Sequence, residues 1–265
     1  MPDTANAEDH VKPFVYETPT TKALHFSICE IQSRMQSLKP LALDLDYTRT
    51  MMGFLLFNDR PDTIGMIGLG GGSLAKFCRS YLPKARIDVV EINPHVIALR
   101  DVFHVPPDDG LFAVRRGDGA DFVRSPPQRM DVLMVDGYDP DGVPPALCSQ
   151  AFYDDCRDSL QPQGLLVVNL HMGHCDYALH VERINRAFDG RILVIRGQDR
   201  GNSIVFGCAG RRLQHAKMSR FRRPRHFDAA AWEELAPSLA EVMVELRKTA
   251  LDGLERGWRV NGEGR

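Results

Sequence analysis

The sequence predicts an α/β protein: a seven-stranded, doubly wound, mostly parallel sheet with a short N-terminal β segment and a C-terminal helical tail. Three observations predict it. Short apolar runs alternate with helical patterns between residues 63 and 208. The last two runs are joined by only a short Gly-Gln-Asp-Arg-Gly-Asn connection, too brief for a crossover helix, so the final strand runs antiparallel. The first run ends in Met66-Ile-Gly-Leu-Gly-Gly-Gly-Ser-Leu74, a glycine turn between strand and helix, followed one unit later by Val89-Val90-Glu91.

Residues 1 to about 22 are polar and punctuated by proline, loose at the very start. The alternation of Leu24, Phe26 and Ile28, continued through Cys29-Glu30-Ile31-Gln32, predicts a short strand, and residues 47–57 are apolar enough for a helix packed on the downstream core. Strands are expected at 63–68, 86–91, 111–116, 130–136, 164–170, 191–196 and 203–208. Helices are expected at 73–81, 94–102, 119–123, 149–160 and 176–188, with Pro94 suited to a first helical position and Ser149 and Asp176 to N-caps. Seven strands with the last reversed match the class I methyltransferase-like Rossmann fold rather than the six-stranded NAD fold. The tail changes character: residues 211–225 carry seven Lys or Arg and no acid. A helical region opened by Asp228 and interrupted by Pro237 then bears the stripe Leu235, Leu239, Val242, Leu246 and Leu254, expected to dock on the protomer or a second subunit. The chain thus divides into an N-terminal segment (1–60), a nucleoside-binding α/β domain (61–210) and a basic linker with helical tail (211–265).

Composition narrows the function classes. The 265 residues carry 33 Lys and Arg against 35 Asp and Glu, a net charge of −2 that gives no reason to expect nucleic acid. No apolar run approaches the ~20 residues that span a bilayer, and the start MPDTANAEDH lacks the basic-then-apolar order of a signal peptide, so the expectation is a cytoplasmic protein without membrane contact. The six cysteines form no C-x-x-C pair and read as reduced thiols. His171-Met-Gly-His174-Cys175-Asp176 groups three metal-ligand types, but no second ligand cluster accompanies it, and no metal is expected.

The chemistry is expected at the carboxyl ends of the strands, where open α/β sheets bind ligands. Gly68, Gly70 and Gly72 let the backbone approach a nucleoside at a helix N-terminus. Glu91, about 20 residues beyond, is placed to take the ribose hydroxyls. Asp118, in Gly117-Asp118-Gly119, would meet the adenine amino group, and Asp136 would face whatever reacts. A helix cap or loop carboxylate is the plain alternative for each acid.

These motifs, with Val90-Glu91-Ile-Asn-Pro94 and Asp136-Gly-Tyr-Asp139-Pro140 followed by Phe152-Tyr153, resemble those of the spermidine synthase family across about residues 24–208. Those aminopropyltransferases use decarboxylated S-adenosylmethionine and a di- or polyamine. The resemblance implies that Glu91, Asp118 and Gly119 hold the nucleoside with Gln32, that Asp136 accepts the amine proton, and that Asp139 helps seat the amine, with Tyr138 beside it. Elementary chemistry agrees: an ammonium must lose its proton before it can displace a thioether from a sulfonium. Two departures stand out. The family's glycine loop carries an aspartate that binds the cationic aminopropyl end, whereas this loop holds glycines and Ser73. At the family's Tyr-x-Glu-Met element the chain has Thr48-Arg49-Thr50-Met51, an acid lost and a cation gained, which brings Arg49 into the expected substrate site.

The reading is therefore a spermidine synthase-like transferase moving an aminopropyl group from a decarboxylated S-adenosylmethionine-type donor to a small-molecule amine, with homodimer formation allowed by the tail. Two alternatives keep the same pocket: an S-adenosylmethionine-dependent methyltransferase acting on a small molecule, and a nucleoside-binding protein that has lost transfer.

Overall fold

The computed structural model describes residues 10–27, 30–138, 142–197, 201–214 and 221–261. Three antiparallel strands come first: β1 (Phe14–Glu17), β2 (Thr21–Ser27) and β3 (Glu30–Gln36), paired in the order β1-β2-β3. The sequence suggested one continuous strand here. The reversal is invisible in it because no Gly, Pro, Asn or Asp marks residues 28–29, and the alternation of period two runs on through both strands. Helix α1 (Asp46–Met51) and a 3-10 turn (Met52–Leu56) then carry the expected apolar segment, with residues 51–57 all buried.

The main sheet is formed by β4 (Thr63–Ile67), β5 (Arg86–Glu91), β6 (Phe112–Arg116), β7 (Met130–Val135), β8 (Leu160–His171), β9 (Ile192–Arg196) and β10 (Asn202–Cys208), in the order β6-β5-β4-β7-β8-β10-β9. β10 runs opposite to the other six strands, paired antiparallel between β8 and β9. Successive residues face opposite sides, as a pleated strand requires. Val132 and Met134 of β7, with Leu165 and Val167 of β8, enter one core; Leu133 and Val135, with Leu166 and Val168, enter the other. The first core is closed by α1, α2 (Ser73–Tyr81) and α7 (Ala229–Asn261), the second by α4 (Gly119–Arg124), α5 (Gln150–Asp158) and α6 (Tyr177–Ala187).

Local signals act as read in several places. Asn93 Oδ1 accepts the His95 N–H at 2.9 Å ahead of Pro94, and Ser149 Oγ accepts the Phe152 N–H at 3.0 Å. Asp176 makes no side-chain cap bond. The helix expected over residues 94–102 is only α3 (Pro94–Ile97); tighter turns succeed it and end at His104, whose φ is 57°. Pro237 does not interrupt α7, which runs through it. A proline removes one helical hydrogen bond, and burial of Leu235 (0%), Leu239 (2%) and Val242 (0%) on either side holds the helix together. That stripe, as far as Leu246, docks on the protomer's own core, and the side chain of Leu254 lies outside the described set. Among the described residues no helix is long and apolar enough to cross a membrane.

Candidate active site

The strand order reverses between β4 and β7, and a cavity of about 800 Å³ opens at their carboxyl ends. This is the switch point at which doubly wound sheets bind ligands. The β4–α2 turn forms its floor. Gly68 has φ +92°, and a Cβ there would stand 2.2 Å from the Asp136 carbonyl oxygen, so only glycine lets β4 and β7 close on each other at this level.

Glu91, at the tip of β5, is 9% exposed and lines the cavity. Its Oε2 accepts the Leu69 N–H and its Oε1 the Asn93 N–H, both at 2.8 Å. Burial pushes its carboxyl above the usual range, while backbone N–H groups of Asn93, Leu69, Gly70 and Ile92 pull the other way. Glu91 thus fastens the glycine turn to β5. Asp118 lines the cavity and caps α4, Oδ1 accepting the Ala120 N–H at 2.6 Å and leaving Oδ2 uncommitted by that bond. Next to it Gly119 admits no side chain, since a Cβ would lie 2.4 Å from Ile67 Cγ2.

Asp136 comes directly after β7, across the turn. Its Oδ2 accepts the Tyr47 hydroxyl at 3.0 Å and its Oδ1 the Asn169 side-chain amide at 2.9 Å. Asn169 is fixed in turn by Asn202, whose amide donates to its Oδ1 at 2.9 Å. Burial raises the Asp136 carboxyl above its ordinary value, against the bonds from Asn169 and Tyr47 and the attraction of His171. Tyr138 stacks on His171 with ring centres 4.2 Å apart and donates its hydroxyl to the Asn169 carbonyl at 2.8 Å. A carboxylate so oriented and partly desolvated is a proton acceptor of raised basicity.

The cavity brings together Gln32, Gly68, Gly70, Glu91, Asp118, Gly119, Asp136 and Tyr138 of the expected set. Gly72 does not line it. With φ +68° it starts α2, and a Cβ there would strike Val105 at 2.3 Å, so its role is to begin the helix. Arg49 does not line it either. Its guanidinium bonds the Leu43 carbonyl and pairs with Asp46 one helical turn back, so its donors are engaged outside the cavity. Asp139 lies outside the described residues. Tyr47, Asn169 and Asn202, which also line the cavity, were not singled out from the sequence, and His171 was weighed there only within a candidate metal-ligand group. For Asn169 and His171 a signal existed, polar residues closing an apolar strand at its carboxyl end; for Tyr47, at the start of an apolar helix distant in sequence, none did. His174, Cys175 and Asp176 each bring a ligand atom within 4.8 Å of the others. Cys175 and Asp176 are exposed, and His174 Nδ1 accepts the Asp176 N–H at 3.2 Å.

A seven-stranded, mostly parallel sheet with one reversed strand is the class I methyltransferase-like fold. Within that class the chain belongs to the spermine/spermidine synthase domain family, whose model matches residues 45–185. It is 40% identical over 192 residues to a polyamine aminopropyltransferase of Chromobacterium violaceum, covering 72% of this chain and 74% of that protein. It is 34% identical over 125 residues to an eEF1A lysine and N-terminal methyltransferase of Mus musculus, covering 43% of this chain and 18% of that one. Among solved structures, a probable spermidine synthase from Corynebacterium glutamicum superposes with a TM-score of 0.65 at 20% identity, over 74% of this chain and 76% of the other.

Proposed function

We propose that the cavity alkylates an amine with the three-carbon arm of an S-adenosylmethionine-type sulfonium, the aminopropyl transfer of the family to which the chain belongs. Glu91 binds the ribose, Asp118 and Gly119 the adenine, and Gln32 contacts the nucleoside from β3. The acceptor is a small amine. Asp136 takes its proton, the nitrogen attacks the arm carbon bonded to sulfur, and the bond's electron pair leaves on sulfur as methylthioadenosine. Charge is lost from the sulfonium, so a site shielded from water favours the step. Tyr47 and Asn169 hold both carboxylate oxygens, which fixes the proton acceptor before substrate arrives. Tyr138 walls the acceptor end, and Asp139 is assigned to the amine by family likeness alone. Association into a homodimer belongs to the same reading, in line with Phe14, Tyr16 and Ile31 left exposed on the N-terminal sheet.

The observation that carries this reading is the Asp136 carboxylate, clamped by Tyr47 and Asn169 across the turn from the nucleoside clamp. Release of methylthioadenosine tests it. Asp136→Asn is expected to keep nucleoside affinity and lose ~100-fold or more in turnover, as for removal of a general base. In the wild type, kcat/KM is expected to fall toward acid with a midpoint above the ordinary carboxylate range, because protonated Asp136 cannot accept a proton. Parallel loss of binding and turnover in Asp136→Asn would make the residue a ligand contact instead.

A further inference from the structure

Parallel strands bring their last residues to the carboxyl edge of a sheet, and a reversed strand brings its first. Asn202 opens β10 and pairs with His171, the last residue of β8, so it reaches the cavity against the direction of the other strands. On a pleated pair, residues two apart share a face, which makes Asn202 and Asn169 diagonal neighbours. The backbone around Asn202 is held from both sides. Its carbonyl accepts the Gly197 N–H, and the Gly201 carbonyl accepts the Met172 N–H, each at 2.9 Å.

From this edge two amides run in series to the carboxylate. Asn202 Nδ2 donates to Asn169 Oδ1 at 2.9 Å, and Asn169 Nδ2 donates to Asp136 Oδ1 at 2.9 Å. The two ends of a carboxamide are nearly the same shape, so packing around the buried Asn169 does not choose which end meets Asp136. Hydrogen bonds choose. In the observed sense every donor meets an acceptor, whereas a reversed Asn169 would set its carbonyl against the carboxylate and its NH2 against the Asn202 amide. The other groups that face Asp136 are Tyr47 of α1, His171 at the end of β8, and Tyr138 stacked on His171. The remaining acids of the cavity, Glu91 and Asp118, are engaged by backbone N–H groups at the ends of β5 and β6, and no Lys or Arg among the described residues lines it. The charge on Asp136 therefore depends heavily on the neutral donors Tyr47 and Asn169.

We infer that Asn202 is a positioning residue for the proton transfer: by donating to Asn169 it fixes the sense of that amide and so favours the charged, proton-accepting form of Asp136. This rests on the proposed role of Asp136 as the base. Without the Asn202 donor, Asn169 is free to present its carbonyl to a protonated Asp136, which can donate to it, so the acid form gains. Asn202→Asp keeps the size of the side chain and reverses its hydrogen-bond sense. Its carboxylate draws the Asn169 N–H away from Asp136, and its charge acts in the same direction.

The experiment follows the Asp136 carboxyl itself, by NMR titration of protein isotopically labelled at its aspartate carboxyl carbons, with the Asp136 signal identified by its loss in Asp136→Asn. In parallel, methylthioadenosine release from decarboxylated S-adenosylmethionine and 1,4-diaminobutane gives the acid limb of kcat/KM. In Asn202→Ala the Asp136 midpoint is expected to rise by about half a unit to one unit, as for loss of one neutral hydrogen bond, and the acid limb to move with it. In Asn202→Asp the rise is expected to exceed about one unit. A residue that only fills space would move neither midpoint in the Asn202→Asp variant. Unchanged Asp136 midpoints in both variants, with the wild-type acid limb still following Asp136, overturn this inference and leave the proposed function standing. A wild-type acid limb that does not follow the Asp136 carboxyl, or no methylthioadenosine at all, overturns Asp136 as the base and this inference with it.

Discussion

Glu91, which the proposed function assigns to the ribose, also holds the backbone together. Both of its oxygens accept backbone N–H groups, so Glu91→Gln turns one acceptor into a donor facing a donor. The expected loss is ~1–3 kcal/mol in methylthioadenosine affinity, the range for charged hydrogen bonds, together with a lower denaturation midpoint. Calorimetry and denaturant unfolding of the same variant measure the two, and an unchanged affinity in the folded variant would remove Glu91 from the nucleoside site.

Lys76 makes a separate prediction at the same scale. Burial lowers its value to about 8 from the ordinary lysine value. Between roughly pH 8 and 10.4 the unfolded chain therefore holds a proton that the folded chain has released, and stability from this residue rises with pH across that window, by on the order of 3 kcal/mol in total. Below about pH 8 both states are protonated and the burial penalty is present in full. Buried tyrosines and cysteines with raised values act in the opposite sense at alkaline pH, so the quantity to read is the difference between wild type and Lys76→Met. That difference should grow in the wild type's favour from pH 8 to 10, and a flat difference would mean that Lys76 is solvated.

Among the elements, α7 carries the clearest mechanical role. It packs on α1, β9 and the 3-10 turn, and Glu234 accepts the Leu43 N–H just ahead of α1. Helix α1 in turn supplies Tyr47 to Asp136. Leu235→Ala, at a fully buried position, is expected to cost ~2–5 kcal/mol in denaturant unfolding. Nucleoside affinity, which the proposed function assigns to the turns after β4 and β5, should change little, whereas turnover should fall through looser placement of Tyr47. Equal losses in affinity and turnover would contradict this division. Most elements of the main sheet were legible because each carries its own period and its own caps. The β2–β3 hairpin, the short α3 and the unbroken α7 were not, because each depends on what packs against it.

Across the whole molecule, one core joins Leu24 and Met35 of the N-terminal sheet, Met66 and Phe77 of the α/β unit, and Leu235 and Val242 of the tail. Thermal unfolding is therefore expected as a single transition, and methylthioadenosine at ~100 times its Kd should add ~2.7 kcal/mol to all of it. A separate early transition that ignores the ligand would show that the tail is not part of this core.

By itself the sequence determined whatever local physics decides: strands by alternation, the fold class by the connection that is too short for a crossover, and the placement of Glu91, Asp118 and Asp136 at the carboxyl ends of strands, where they line one cavity. The tertiary structure decided what depends on distant partners. It put Tyr47 on Asp136 across 89 residues, turned Arg49 back on Asp46, set Gly72 at the start of α2 outside the cavity lining, and buried Lys76 against the Phe103 carbonyl. A side chain's direction and its neighbours' charge are set when elements pack, and no spacing along the chain records them.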